Sequence, residues 1–233
     1  MENSIYKIYN EEIENIVNNS NVTGILLVGS AKNVDLSLKG SSVNDIDIFV
    51  ITKEGPYQER IIKEINGIEF DINYFSNKGV YKFIKDREYF FLKEMKEAKI
   101  VYDKNQDING IMELCNIEYN KGPKSLTQDE KAFLKNETLS KIERLKSKEK
   151  YEEFEYKFLI NIYLKDLIEA FFSIKNKWIP KDKKMMGVLK KEEIQLFNFV
   201  KKVNENYLYE DLLNVYKYIF EDIDTTKNIK ITY

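Results

Sequence analysis

At Lys121-Gly122-Pro123 the hydrophobic pattern of the chain changes period, and that change limits what its two halves can become. Before it, short apolar runs and strict alternation are punctuated by Gly and Asn turns. After it, apolar residues recur at three-and-four spacing, the signature of helices with one buried face. Strands mixed with helices, then helices alone, predict an α+β fold: a small mixed β-sheet flanked by helices over residues 1–122, then a helical bundle over residues 123–233. With 233 residues, both parts can bury a core without disulfides or structural metal.

Within the first part, Ile5, Ile8, Tyr9, Ile13, Ile16 and Val17 predict an amphipathic helix over the first 19 residues. Gly24 to Val28 is a short apolar run closed by Gly29-Ser30, which suits a buried strand entering a turn. Residues 31–44 read as loop or a short helix. Asp45 to Ile51 alternates at first, so a strand there puts Asp45 and Asp47 on one face and Ile46 and Ile48 on the other. Asn66-Gly67 between two β-rich runs predicts a hairpin over Arg60 to Tyr74, with a helix over 57–65 as the competing reading. Its second arm places Glu69, Asp71 and Asn73 on one face, again away from the core. A helix over 77–97, a short strand at Lys99 to Tyr102 and a helix over 106–118 complete this part.

In the second part, Thr127 and Glu130 have capping-box spacing, and residues 151–177 form a long helical segment with Phe158, Ile162, Leu167 and Phe171 as its core face. Shorter helices follow Pro180, over roughly 184–203 and 207–221.

Two absences narrow the chemistry. There is no histidine and one cysteine, Cys115, which excludes Ser-His-Asp and Cys-His nucleophilic sites, histidine acid–base catalysis and zinc sites built on those residues. Carboxylates and lysines must carry any reaction. The formal net charge of -2 supplies no overall field toward nucleic acid, so a nucleic-acid partner is not expected and only a local basic patch could serve one. The first residues lack the charged-then-apolar pattern of a secretory signal and no apolar run approaches ~18 residues, so a cytoplasmic chain without a membrane span is expected.

Asp45, Asp47 and Asp71 occupy alternating positions and can converge if their strands pair. Such a cluster needs a cation, and oxygen-only ligands suit Mg²⁺ or Mn²⁺, which bind substrate phosphates at the same time. A nucleoside triphosphate is the natural partner. Gly29-Ser30 would let backbone N–H groups approach those phosphates, with the Ser30 hydroxyl as a further donor.

The segment Leu26-Leu27-Val28-Gly29-Ser30, followed by Asp45-Ile46-Asp47-Ile48, resembles the Gly-Ser and paired-aspartate motif of the DNA polymerase β-like nucleotidyltransferase superfamily. Glu69-Phe70-Asp71-Ile72 resembles its third-acid strand. The layout is most similar to aminoglycoside-type adenylyltransferases, whose helical half carries a segment like Trp178-Ile179-Pro180-Lys181-Asp182-Lys183. This resemblance implies a nucleotidyltransferase domain over 1–122 and a substrate-binding helical domain over 123–233. Lys183, or Lys184 in its place, would reach the triphosphate.

The expected reaction uses two Mg²⁺ ions, with Mn²⁺ as a substitute, on Asp45, Asp47 and Asp71. Asp71 is the leading general base, and Glu69 shares its face. A small hydroxylated acceptor, aminoglycoside-like, is expected between the two parts; Asp166 and Glu169, one turn apart, could bind a cationic group on it. The alternatives are modification of a protein or a tRNA, or a non-catalytic nucleotide-binding regulator. The oligomeric state does not follow from these residues.

Overall fold

The computed structural model describes residues 4–38 and 43–224, and the chain divides into two compact units, Met1–Lys121 and Gly122–Tyr233. The architecture is α+β: a five-stranded mixed sheet flanked by helices, then a second unit whose described residues form helices and no strand.

The first unit begins with helix α1 (Ser4–Val17) and strand β1 (Val22–Val28), whose seven residues are all buried. A single 3-10 turn, Ala31–Asn33, follows β1. Strand β2 (Asp45–Thr52) leads to the hairpin of β3 (Glu59–Ile65) and β4 (Ile68–Ser76). Asn66 and Gly67 both have positive φ, 52° and 81°, as the two-residue hairpin turn requires, and the helix alternative over 57–65 is not adopted. Helices α2 (Asn77–Asp86) and α3 (Tyr89–Lys96), strand β5 (Lys99–Asp103) and helix α4 (Ile108–Asn120) complete the unit.

The strand order is β3-β4-β2-β1-β5. Only β2 and β4 pair in parallel; β1 with β2, β1 with β5 and β3 with β4 are antiparallel. One sheet face, through Ile46, Ile48, Phe70 and Ile72, packs with Tyr9 and Ile16 of α1. The opposite face carries Phe49 and Phe75, whose rings meet Phe83, Phe90 and Phe91 of α2 and α3 at centroid distances from 4.9 to 6.4 Å. The acid-bearing face is therefore covered at its far end and does not simply face water.

The helix expected over 77–97 is two helices. Arg87 adopts the left-handed conformation (φ 55°) and its N–H closes onto Ile84 O, ending α2. Glu118 of α4 accepts from Arg87 Nε at 3.1 Å and holds the break.

The second unit contains α5 (Gln128–Arg144), α6 (Glu153–Ile174), α7 (Asp182–Glu192), α8 (Ile194–Asn206) and α9 (Tyr209–Ile219). The capping box at α5 is formed in both directions: Thr127 Oγ1 accepts from Glu130 N at 3.2 Å, and Glu130 Oε2 from Thr127 N at 2.7 Å. The segment expected as one helix over 184–203 is split at Glu193, whose backbone (φ -147°, ψ 63°) is not helical. Leu167 and Phe171 are buried in the bundle core, but Phe158 is 63% exposed and Ile162 38%. Two apolar rows run along α6, both at helical spacing. The buried row is Tyr156, Ile160, Leu164, Leu167 and Phe171, and Phe158 and Ile162 belong to the other. Among the described residues, no helix is long and apolar enough to cross a membrane.

Gly79 marks how tightly the first unit is closed, because a Cβ there would stand 2.0 Å from the Tyr57 carbonyl oxygen. Its N–H is also taken by the Ser76 cap at 3.1 Å, so this turn of α2 cannot back away. Gly79→Ala is expected to lower stability by about 1–3 kcal/mol in urea unfolding, and an unchanged midpoint would contradict the close approach.

Candidate active site

Parallel pairing brings the acids together. Register partners of adjacent strands share a sheet face at about 4.8 Å spacing, and here Asp47 pairs with Asp71 and Asp45 with Glu69. Asp45, Asp47, Glu69 and Asp71 thus form one patch on two neighbouring strands. Asp45 is exposed, and Asp47 and Asp71 are half-buried.

Antiparallel pairing of β1 with β2 sets Val28 opposite Asp47, so the chain leaving β1 turns directly beside that carboxylate. Gly29 has φ +66°, and a Cβ on it would lie 1.8 Å from Asp47 Oδ2. Only glycine satisfies both the backbone and the contact. The Gly29 N–H donates to Glu94 Oε2 of α3 at 3.3 Å, so a fifth acid borders the turn. Ser30 is exposed and makes no side-chain cap to the 3-10 turn behind it.

Asp71 has a partner of its own. Arg60, on the neighbouring β3, donates through Nε to Asp71 Oδ1 at 2.8 Å and through Nη2 to Oδ2 at 2.7 Å. This forked geometry is the strongest form of the Arg–carboxylate pair. Asn73 Nδ2 also donates to Asp71 Oδ1, at 3.1 Å, and Gln58 Nε2 donates to Asn73 Oδ1 at 2.8 Å. The bonded Asp71 carboxylate holds the Arg60 guanidinium above its ordinary range, and Asp47 and Glu69 add to the same field. One arginine therefore faces three of the four acids electrostatically.

Among the described residues, no group of three or more carboxylate or cysteine side chains stands ready to hold a metal ion. The donor chemistry still fits a hard divalent cation, since Asp45 and Asp47 offer only oxygens and Mg²⁺ commonly takes one or two carboxylates plus phosphate and water. The Arg60 fork engages both Asp71 oxygens and opposes a second cation there.

The residues singled out in the helical half lie in the second unit. Lys183 and Lys184 are exposed in the first turn of α7, beside Asp182, which reaches Lys165 at 3.7 Å. Asp166 and Glu169 do not converge on one empty position: Asp166 accepts from Lys141 at 3.2 Å and Glu169 from Lys165 at 2.7 Å. Trp178 is half-buried. Cys115 is buried and its thiol is pushed up to about 12 by desolvation, which leaves it inert as a nucleophile.

Arg60, Gln58 and Glu94 were not among the sequence candidates. Arg60 was within reach, because counting outward from the Asn66-Gly67 turn pairs it with Asn73, diagonal to Asp71. Glu94 sits on a helix whose placement over β1 has no local signal.

Two outcomes follow. Gly29→Ala should cost about 1–3 kcal/mol, and Gly29→Ala with Asp47→Ala should cost less than the sum of the single changes by about 1 kcal/mol or more, measured by urea unfolding; strict additivity would contradict the contact. Arg60→Ala should tighten Mn²⁺ binding to the metal-free protein several-fold by titration calorimetry, whereas unchanged or weaker binding would show that Arg60 does not compete for Asp71.

No protein-family model matches the chain, and no curated protein matches it. Among solved structures it is similar to a nucleotidyltransferase-like protein from Exiguobacterium sibiricum 255-15, at 11% identity and a TM-score of 0.49, over 94% of this chain and 73% of that one.

Proposed function

We propose that the protein is a metal-dependent nucleotidyltransferase that moves a nucleoside monophosphate, AMP from ATP in the first instance, onto a hydroxyl of a small acceptor. The observation that carries this reading is the β2–β4 register, which sets Asp47 beside Asp71 and Asp45 beside Glu69, with the Gly29-Ser30 turn packed on Asp47. Oxygen-only acids next to a turn where backbone approaches closely are what a metal–triphosphate complex needs.

Asp45 and Asp47 would hold two Mg²⁺ ions, or Mn²⁺, with Asp71 completing one of the two sites. Bound there, the ions supply charge stabilisation for the entering and leaving oxygens of an in-line displacement. Asp71, released from Arg60, takes the acceptor hydroxyl's proton, and Glu69 on the same face is the substitute base. The hydroxyl oxygen forms a bond to the α-phosphorus as the α–β bridging bond breaks, and pyrophosphate leaves. Ser30 donates its hydroxyl to the phosphates, and Lys183 or Lys184 neutralises the triphosphate tail. Asp166 and Glu169 would receive ammonium groups of an aminoglycoside-like acceptor, in exchange for their present lysine partners.

Incubation with Mg²⁺, labelled ATP and a panel of aminoglycosides and other hydroxylated small molecules should yield a nucleotidylated product. Absence of product with every acceptor, together with no ATP binding, would overturn the enzyme reading. Asp47→Asn should lower transfer at least about 100-fold while the circular dichroism and unfolding midpoint stay near wild type; wild-type turnover in that variant would remove the metal assignment.

A further inference from the structure

Outside the acid patch, the outer face of α2 and the segment before β3 enclose an open groove of about 620 Å³. Its lining is unusual for a chain with a net charge of -2: Lys78, Lys82 and Lys85 alternate with Tyr57 and Tyr81, and Asp86 is the one acid among them. The three lysines lie at i, i+4 and i+7, so they rise along one face of the helix over about 10 Å. Both rings are on show, Tyr57 54% exposed and Tyr81 57%.

The groove is held by backbone. The Tyr57 carbonyl is wedged against Gly79, so the loop bearing one ring cannot slide along the helix bearing the other. Lys82 Nζ stands 5.9 Å from the Tyr57 ring centroid and is paired with Asp86, which leaves Lys78 and Lys85 as the flanking positive charges. Two exposed rings carried on adjoining backbone and flanked by ammonium groups match the recognition of single strands: bases stack on the rings and the backbone follows the charge. An apolar or cationic small molecule would find no partner for these lysines.

We infer that this groove binds single-stranded nucleic acid. Gln58, next to Tyr57, donates to Asn73, which donates to Asp71, so the groove adjoins the strand that carries the third acid. It goes beyond the proposed function, whose acceptor is a small molecule, and the binding does not depend on catalysis.

The test is fluorescence anisotropy of the full chain with labelled oligo(U) and oligo(dT) of about 12 nucleotides, with no divalent cation or nucleotide present. Binding should weaken with salt along a log–log slope of about -1.4, as the two lysine contacts of Lys78 and Lys85 on a single strand give. Tyr81→Ala should weaken it at least about fivefold, Tyr81→Phe should restore it, and the Lys78→Ala, Lys85→Ala double variant should flatten the slope by about 1.4. All these positions are exposed, so the fold should persist in each variant. No binding at low salt would overturn the inference. So would binding that Tyr81→Ala leaves unchanged, or that inorganic polyphosphate abolishes equally in wild type and Tyr81→Ala, because that is attraction to charge alone. Failure here with successful transfer to small acceptors would leave the enzyme reading intact, and the reverse result would separate the two equally well.

Discussion

Parallel pairing of β2 with β4 is the constraint on which the rest of the first unit depends. Among the described residues it is the one parallel pair in an otherwise antiparallel sheet, and its register decides which side chains meet. A slip of one residue would turn one strand over against the other, putting Asp45 and Asp47, or Glu69 and Asp71, onto the face occupied by α1 and bringing that strand's apolar residues out. Burial of those apolar residues with Tyr9 and Ile16 opposes that slip, so the core on one face secures the acid patch on the other. Hydrophobic energy is thus what holds four like charges in proximity.

Those charges are offset within the chain. Arg60 forks onto Asp71 and feels Asp47 and Glu69, so part of the repulsion within the patch is offset by the chain itself. The same pairing sets a condition on the proposed chemistry: an incoming metal–triphosphate complex must present more favourable charge to Asp71 than one arginine does. Glu94 at the Gly29 N–H imposes a similar exchange on the phosphates. Each contact is made by a side chain on a separate element, β3 or α3, so repositioning an element changes the patch without disturbing the β2–β4 register.

Much of this was legible in the sequence, for local reasons. Alternation placed Asp45 with Asp47 and Glu69 with Asp71 and Asn73 on shared faces, and the Asn66-Gly67 turn set the hairpin register one residue pair at a time. Gly29-Ser30 was visible as a turn, but the contact of Gly29 with Asp47 is made across 18 residues of chain and has no local trace. Helix breaks were missed where a non-glycine residue takes an unusual backbone, at Arg87 and Glu193, since hydrophobic period runs through both unchanged. Phe158 and Ile162 were misplaced because α6 is apolar along two rows and periodicity alone cannot rank them. The Lys141 partner of Asp166 depends on how α5 and α6 pack, whereas Lys165 and Glu169 are i,i+4 neighbours on α6 itself.

The central claim is that Asp45 and Asp47 receive a metal–triphosphate complex and that Asp71 joins them when Arg60 lets go. Anomalous scattering from crystals grown with Mn²⁺ and a nonhydrolysable nucleoside triphosphate reads this directly. The account predicts manganese peaks against the Asp45 and Asp47 carboxylates, triphosphate beside Gly29-Ser30, and Asp71 turned from Arg60 toward one ion. A bound triphosphate with manganese away from these carboxylates, and the Arg60–Asp71 fork still closed, would contradict it.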